Sequence, residues 1–480
     1  MSVEESQKEI SDLVEQIGGL FSGNNSEASS VVLPTVPAVS AAPTVTTDLD
    51  QADQEAVQLG HDVVPVKSWD ELELKPEIRK ALVEVGFVKP SVIQETALPL
   101  IITHKRNVIA QAKNGSGKTA SFSLGLLSVV DASVQKTQAI ILSPTRELAK
   151  QNLDVITSLG RFCGLTTQLV VPMAEGLPTS VKPDGPQIVS GTPGKVLELL
   201  RKRLINGKSV NMFILDEADV MISPENNMGT QVGNIRALLN PSVQILLFSA
   251  TYPESVRRFA HQIVPKAAKI EVKTTDLTLS TIWQVYMEPA TADAKFDLLS
   301  DLYAVMNVGQ SIVFVNSRNT AFELAKKMKA GGHSVSLICG TSKASSGAEA
   351  VDPRMRDQVL DEFRNGVSKV LIATDVLARG IDVPAVTLVV NYELPINYDG
   401  PDRQGVNPET YLHRIGRTGR FGQKGIAVNL ITPQELPKLR AIEKYYNSEI
   451  EKIEADIDVI EKRLGEITEG NKTARANAVV

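Results

Sequence analysis

Residues 107 to 119 read NVIAQAKNGSGKT, and this stretch decides the fold. Val108-Ile109-Ala110 is a short apolar run that reads as a buried strand of a parallel sheet. Gly115-Ser116-Gly117-Lys118-Thr119 follows, then Ala120 to Leu124, which reads as a helix. Strand, glycine loop and helix start together make a phosphate-binding loop. The glycines let backbone N–H groups curl toward phosphate, and the helix N-terminus adds the positive end of its dipole. Lys118 would reach the β- and γ-phosphates of a nucleotide, and Thr119 would hold Mg²⁺. The strict pattern has Gly at its first position, where this chain has Ala112. A glycine-rich turn before a helix is the plainer alternative, and the flanking strand and helix argue against it.

Outward from this loop, strand-like runs alternate with helical stretches. The expected strands are Val108–Ala110, Gln138–Leu142, Thr167–Val171, Gln187–Ser190, Met212–Leu215 and Gln244–Phe248. A polar segment without periodicity, Lys273 to Ser280, reads as a hinge. A second series follows at Ile282–Met287, Ser311–Val315, Val335–Ile338, Lys369–Ile372, Thr387–Val390 and Ile426–Leu430. Alternation of this kind implies parallel βαβ units. The expected fold is α/β, with two tandem domains over 66–273 and 281–447 joined by a hinge at 274–280. Each domain is a parallel sheet flanked by helices.

The ends differ from the body. Residues 1–65 read as an acidic, mostly disordered and flexible N-terminal extension. Ile10, Leu13, Ile17 and Leu20 mark a short amphipathic helix, either docked on the body or serving as a leucine-rich export signal. Residues 24–47 read as a linker of Ser, Thr, Pro, Val and Ala. In the last segment, 448–480, apolar residues at 450, 453, 457, 460, 464 and 467 have coiled-coil seam spacing. An edge strand at Glu449–Ile453 with a short helix from Val459 is the alternative, and a disordered tail follows Thr468.

Composition sets bounds. Of 480 residues, 42 % are hydrophobic and 22 % charged, which is ordinary for a globular chain. No run of 18 apolar residues exists, so membrane insertion is not expected. The start lacks the basic region and apolar core of a secretory signal. Cys163 and Cys339 are far apart, as expected of reduced thiols. The net charge of −6 is uneven: residues 1–66 carry eleven acids and one base, so the remainder is +4. A mildly basic body is compatible with nucleic acid.

Asp216-Glu217-Ala218-Asp219 stands at the end of the strand Met212–Leu215. Strand carboxyl ends are where a doubly wound sheet binds ligands. Asp216, facing Lys118 and Thr119, can hold Mg²⁺. Glu217 can accept a proton from an attacking water. Here the chain resembles the DEAD-box RNA helicases of superfamily two, whose name these four residues spell. The AxxGSGKT form of the loop, with Ala112, is that family's form. The resemblance runs from about residue 69 to 422 and implies two RecA-like domains and ATP-dependent chemistry on RNA.

Motif by motif, the resemblance implies roles. Gly86 to Gln94 resembles the adenine-reading element, with Gln94 on the adenine edge, Phe87 as a stacking face and Trp69 as the upstream aromatic. Pro144 to Ala149 and Thr192 to Lys195 resemble RNA-contacting motifs, which gives Arg146, Thr192 and Gly194 to RNA. The family's usual Arg is here Lys195, and its paired glycine after Val171 is replaced by Pro172-Met173-Ala174-Glu175-Gly176. Ser249-Ala250-Thr251, with Asp219 and His413, resembles the set that couples the nucleotide site to the second domain. Thr374 would touch RNA, and Asp382 would reach the ribose. Arg356 would touch RNA, although the Gln that usually precedes it falls at Pro353. His413 to Arg420 resembles the motif whose arginines, Arg417 and Arg420, cross to the γ-phosphate from one face of a helix. Catalysis would then rest on Lys118, Asp216, Glu217, Arg417 and Arg420. The nucleotide would be held by Trp69, Phe87, Gln94, Gly115, Ser116, Gly117, Lys118, Thr119 and Asp382.

Such contacts suit a phosphate backbone, so RNA binding should be largely sequence-independent. The segment Ile396 to Thr410, the Lys67 to Leu72 start, Val170-Val171-Pro172 and Arg440 to Tyr446 resemble the nuclear-pore mRNA-export subgroup. That resemblance implies a monomer that remodels mRNA–protein complexes in the cytoplasm, at the cytoplasmic face of the pore and in the nucleus. It also implies a cytoplasmic-filament nucleoporin and an inositol hexakisphosphate-dependent export activator as partners, and an N-terminal extension that restrains the ATPase. A DEAD-box helicase of another pathway, such as translation initiation, and an ATP-gated RNA clamp are the alternatives.

Overall fold

The computed structural model describes residues 63–112, 115–172, 185–222, 227–271, 281–305, 310–339, 353–375, 383, 385–397, 405–419, 424–453, 459–463, 465–467 and 469–470, without the side chains of 305 and 353–357. The helix expected at Ile10 to Leu20, the hinge at 274–280, the stretch after Pro172 and the segment before Pro353 lie outside these residues.

The first seven strands are β1 (Val108–Gln111), β2 (Ala139–Leu142), β3 (Thr167–Val170), β4 (Ile188–Gly191), β5 (Met212–Asp216), β6 (Gln244–Ser249) and β7 (Ala268–Ile270). They form one sheet in the order β3-β4-β2-β5-β6-β1-β7. Every pairing is parallel. The next seven are β8 (Ile282–Met287), β9 (Gln310–Val315), β10 (Val335–Ile338), β11 (Val370–Thr374), β12 (Val386–Asn391), β13 (Gly425–Leu430) and β14 (Glu451–Lys452). Their order, β10-β11-β9-β12-β13-β8-β14, repeats the first sheet strand for strand.

Both faces of each sheet are covered, which is why the strands read as continuous apolar runs. The side-chain period of two sorts the residues between the faces. In the first sheet, Val108, Ala110, Ile141, Ile214 and Phe248 pack with Ile78, Leu98 and Phe122. Their neighbours Ile109, Ile140, Phe213 and Leu247 pack on the other face with Val196, Val232 and Phe259. In the second sheet, Val313, Ile372, Val390 and Val428 face one core, while Phe314, Leu371 and Val389 face another.

Strand β7 is the one strand of the first sheet that the sequence did not lead us to expect. It has three residues and sits at the sheet edge beside β1, too short for a pattern to show. The C-terminal segment settles between its two readings. Strand β14 pairs with β8, and a helical stretch runs from Val459. Ile453, Ile460 and Ile467 are buried in the second domain's core, so these seam positions are covered by the chain itself rather than by a coiled-coil partner. Among the described residues, no helix is long and apolar enough to cross a membrane.

Candidate active site between the two sheets

The nucleotide loop is held from both sides. The Ala112 N–H donates to Ser249 O at 3.0 Å, which ties the end of β1 to the end of β6. The helix Lys118–Val129 starts directly after Gly117, whose φ is 100°. A Cβ on Gly117 would stand 2.7 Å from Gln94 Nε2 and 2.8 Å from Ser91 Oγ, so glycine is required by both conformation and space. Ser91 Oγ donates to Ser116 O at 2.8 Å, and Gln94 Nε2 donates to Gly117 O at 3.3 Å. Gln94 Oε1 accepts from the Ser91 N–H at 2.8 Å, part of a capping box on the helix Val92–Leu98. Gln94 is thus wired to the loop backbone. Trp69 Nε1 donates to Phe87 O at 2.8 Å, and the two rings line one open recess with Arg79 and Leu82. Gly115 also has a positive φ, 76°, and Ser116 and Thr119 are partly exposed.

Lys118 is buried, and its Nζ donates to Ala112 O at 2.6 Å. Burial lowers its pKa against the pull of Asp216, Asp219 and Glu217. Asp216 ends β5, and Glu217 turns away with φ 52°, a left-handed conformation uncommon for a residue with a Cβ. Burial and the neighbouring Glu217 charge push the Asp216 carboxyl up to about 6, against the Asn152 hydrogen bond and Lys118. Asp216 Oδ1 accepts from the Glu217 N–H at 3.1 Å, and Oδ2 accepts from Asn152 Nδ2 at 2.8 Å. Glu217 Oε2 is buried with no hydrogen-bond partner among the described residues.

This donor set fits Mg²⁺. Two buried carboxylates are adjacent at the end of β5, one of them with an orphaned oxygen, and Thr119 lies in the first turn of the helix that follows the glycine loop. No cluster of three or more metal-ligating side chains occurs among the described residues. Mg²⁺ takes one or two carboxylates and completes its shell with water and phosphate oxygens.

Asp219 reaches the second domain. Its Oδ2 accepts from the Thr251 N–H at 2.9 Å, from Thr251 Oγ1 at 2.7 Å, and lies 3.2 Å from His413 Nε2. Its own N–H donates to Ser249 Oγ at 3.2 Å. Burial opposes its ionisation, but His413 and the Thr251 hydroxyl outweigh that and hold the carboxyl well below the usual range. A second contact crosses between the domains: Arg417 stands 3.8 Å from Glu217 Oε1.

Two helix starts sit at strand carboxyl ends beside this cluster. Arg146 opens the helix Arg146–Leu159, whose N-cap Thr145 accepts from the Leu148 N–H at 3.2 Å. Thr192 is the N-cap of the helix Pro193–Arg201, and its Oγ1 is buried with no partner among the described residues. Gly194 lies in that first turn, close against Gln231. Helix N-termini of this kind offer N–H groups to phosphate. Thr374 ends β11 and is buried. Asp382, Arg420 and the Arg356 side chain lie outside the described residues.

The structure departs from the sequence expectation at Arg417. Arg417 is not on a helix face: the helix Pro408–Ile415 ends before it, at Gly416. The chain then turns, and Gly419 has φ 66°. Arg417 Nε donates back to His413 O at 3.0 Å, so the turn itself aims the side chain.

Two residues at the site went unassigned in the sequence. Arg414 is 1 % exposed. Its guanidinium grips both oxygens of Asp375, with Nη2 to Oδ2 at 2.8 Å. It also donates to Asn316 Oδ1 at 2.7 Å and to Glu393 O at 2.5 Å. Asn152, fully buried, reaches Asp216 from the helix Arg146–Leu159. Its signal was present: Leu148, Asn152, Ile156 and Leu159 form one buried stripe, and a polar residue in such a stripe needs a partner.

Residues 91–259 match the family model described as DEAD/DEAH box helicase, and residues 294–422 match the helicase conserved C-terminal domain. The chain is 43 % identical over 394 residues to the ATP-dependent RNA helicase dbp5 of Schizosaccharomyces pombe, covering 82 % of this chain and 75 % of that protein. The solved structure of Saccharomyces cerevisiae Dbp5 bound to RNA and ADP BeF3 is 42 % identical with a TM-score of 0.77, covering 84 % of this chain and 100 % of that one. A variant of the same yeast protein bound to nup159, a gle1 variant, ip6 and ADP is 39 % identical with a TM-score of 0.58, covering 82 % of this chain and 100 % of that one. With the Lys118 loop, the Asp216–Asp219 strand end and two matched domains, this chain belongs to the DEAD-box family of ATP-dependent RNA helicases.

Proposed function

We propose that this helicase remodels mRNA–protein complexes during mRNA export at the nuclear pore, with ATP turnover stimulated by RNA. The observation that carries the enzymatic part is the pair of contacts between the domains, Asp219–His413 and Glu217–Arg417. A site completed from the second domain turns over only when the domains close. RNA bound at Arg146, Thr192 and Gly194 on one domain and at Thr374 and Arg356 on the other favours closure, as does ATP, so each favours the other.

Within the closed site, Gln94, with Trp69 and Phe87 nearby, selects the adenine end, and Asp382 serves the ribose. Gly115, Ser116 and Gly117 cradle phosphates, and Lys118 balances their charge. Thr119 and Asp216 would hold Mg²⁺, which when bound neutralises phosphate charge. Glu217 Oε2, having no protein partner among the described residues, is free to take a proton from the attacking water. Arg417 and Arg420 stabilise charge on the transferring phosphoryl group. Ser249 and Thr251 hold Asp219, so that loss of the phosphate is felt at His413.

The export assignment is supported by relatives named Dbp5 and by the yeast complex with nup159, gle1 and ip6. A cytoplasmic-filament nucleoporin and an export activator using inositol hexakisphosphate are the corresponding partners here. The protein would work in the cytoplasm and at the cytoplasmic face of the pore, with a nuclear pool. Residues 1–65 would restrain the ATPase, and 66–273 and 281–447 would move as two bodies about 274–280. Localisation of the tagged protein tests the pathway: a nuclear rim is expected, and a uniform cytoplasmic signal would favour a role such as translation initiation. ATP turnover measured with and without RNA tests the chemistry: absence of stimulation would leave an RNA clamp.

A further inference from the structure

We propose that Asn152 is a positioning residue that links RNA binding on the first domain to the metal-holding carboxylate Asp216; this rests on the RNA-dependent ATPase reading above. Asn152 has two amide protons on Nδ2, and both are used. One goes to Ser143 Oγ at 3.0 Å and the other to Asp216 Oδ2 at 2.8 Å. Ser143 stands directly after β2, and its N–H donates to Gly191 O at the end of β4 at 3.0 Å. The amide therefore joins the carboxyl ends of adjacent strands to a helix that opens with Arg146. A second bond fixes the same helix to β4: Ser190 Oγ donates to Ala149 O at 2.8 Å, two residues before the RNA-facing Thr192. The Arg146 end of the helix cannot shift without moving the amide that holds Asp216.

A buried amide at this position has a cost. Asn152 Oδ1 has no hydrogen-bond partner among the described residues, and burying an unpaired polar atom is unfavourable. Leucine would fill a similar volume without it. What leucine cannot do is donate to Asp216. With Oδ1 taken by the Glu217 N–H at 3.1 Å and Oδ2 by Asn152, the carboxylate plane is fixed by one bond from its own loop and one from the RNA-facing helix. Removing such a partner behind a metal-holding side chain typically costs about 10–100-fold in metal affinity or activity.

The test titrates Mg²⁺ against binding of a fluorescent ATP analogue to the full chain, with and without single-stranded RNA. Asn152→Leu should raise the Mg²⁺ half-saturation about tenfold. It should also shrink the effect of RNA on nucleotide affinity and leave nucleotide binding in EDTA unchanged. Asn152→Ala, which asks less of the packing, should do the same. Ser143→Ala removes the other partner of the amide while leaving its bond to Asp216, and should shift the Mg²⁺ half-saturation less than either Asn152 variant. The proposal is overturned if either Asn152 variant keeps the wild-type Mg²⁺ half-saturation, or if Ser143→Ala reproduces the shift, since loosened packing would then explain it. Wild-type turnover that ignores RNA would instead sink the functional reading, and the RNA-free Mg²⁺ titration would still decide the role of Asn152.

Discussion

The two sheets share one strand order, yet their carboxyl ends are used differently. In the first sheet, the ends of β1 and β5 bring together Lys118, Asp216 and Glu217, all buried. Burial lowers the Lys118 pKa and raises that of Asp216. In the second sheet, the ends of β11, β9 and β12 converge on Arg414, through Asp375, Asn316 and the Glu393 carbonyl. That buried charge is paired and hydrogen-bonded on every side. The first copy of the topology gathers its buried charges at the ends of β1 and β5, and the second fills the ends of β9, β11 and β12 with its own guanidinium; of these only β12 corresponds to a strand of the first cluster. From the second domain, His413 and Arg417 reach across to Asp219 and Glu217.

Substitutions can break or sharpen this division. The largest effect is expected from Arg417→Ala, which should lower RNA-stimulated kcat by about 10³–10⁵-fold while ATP still binds. Steady-state turnover within tenfold of wild type would show that the first sheet is sufficient by itself. Glu217→Gln should follow, with a loss of about 10²–10⁴-fold in kcat and retained binding of ATP and RNA. Single-turnover kinetics separate binding from chemistry there, and an unaltered chemical step would remove Glu217 from its role. Arg414→Met should act on stability first. It leaves Asp375 without its cation, and breaking a buried pair costs about 3–5 kcal/mol. Urea unfolding should show the loss, and an unchanged midpoint would mean the second sheet does not depend on its arginine. The smallest effect belongs to His413→Ala, which should weaken the coupling between RNA and ATP by about 1–3 kcal/mol. RNA affinity with and without an ATP analogue measures this; equal coupling in variant and wild type would move the link elsewhere.

Much of this was legible because it is local. A strand, a glycine loop and a helix start are contiguous, so residues 107–119 declare a phosphate site before any fold is known. Continuous apolar runs declare doubly covered strands, and the strands expected from them all appear within two residues of their observed bounds. Strand β7 escaped because three residues carry no period.

What the sequence by itself determined is the set of chemical parts and their order: the phosphate loop, the acidic strand end, the polar loops after strands and the arginines of the second domain. The tertiary structure decided what those parts touch. Arg414 and Asp375 are 39 residues apart in the chain, and Asn152 and Asp216 are 64 apart. Nothing local in either segment names its partner, because hydrogen-bond geometry between distant strand ends is fixed only when the sheet order is fixed. The same holds for Arg417, whose aim comes from a turn after a helix and whose target, Glu217, follows the end of β5 in the other domain.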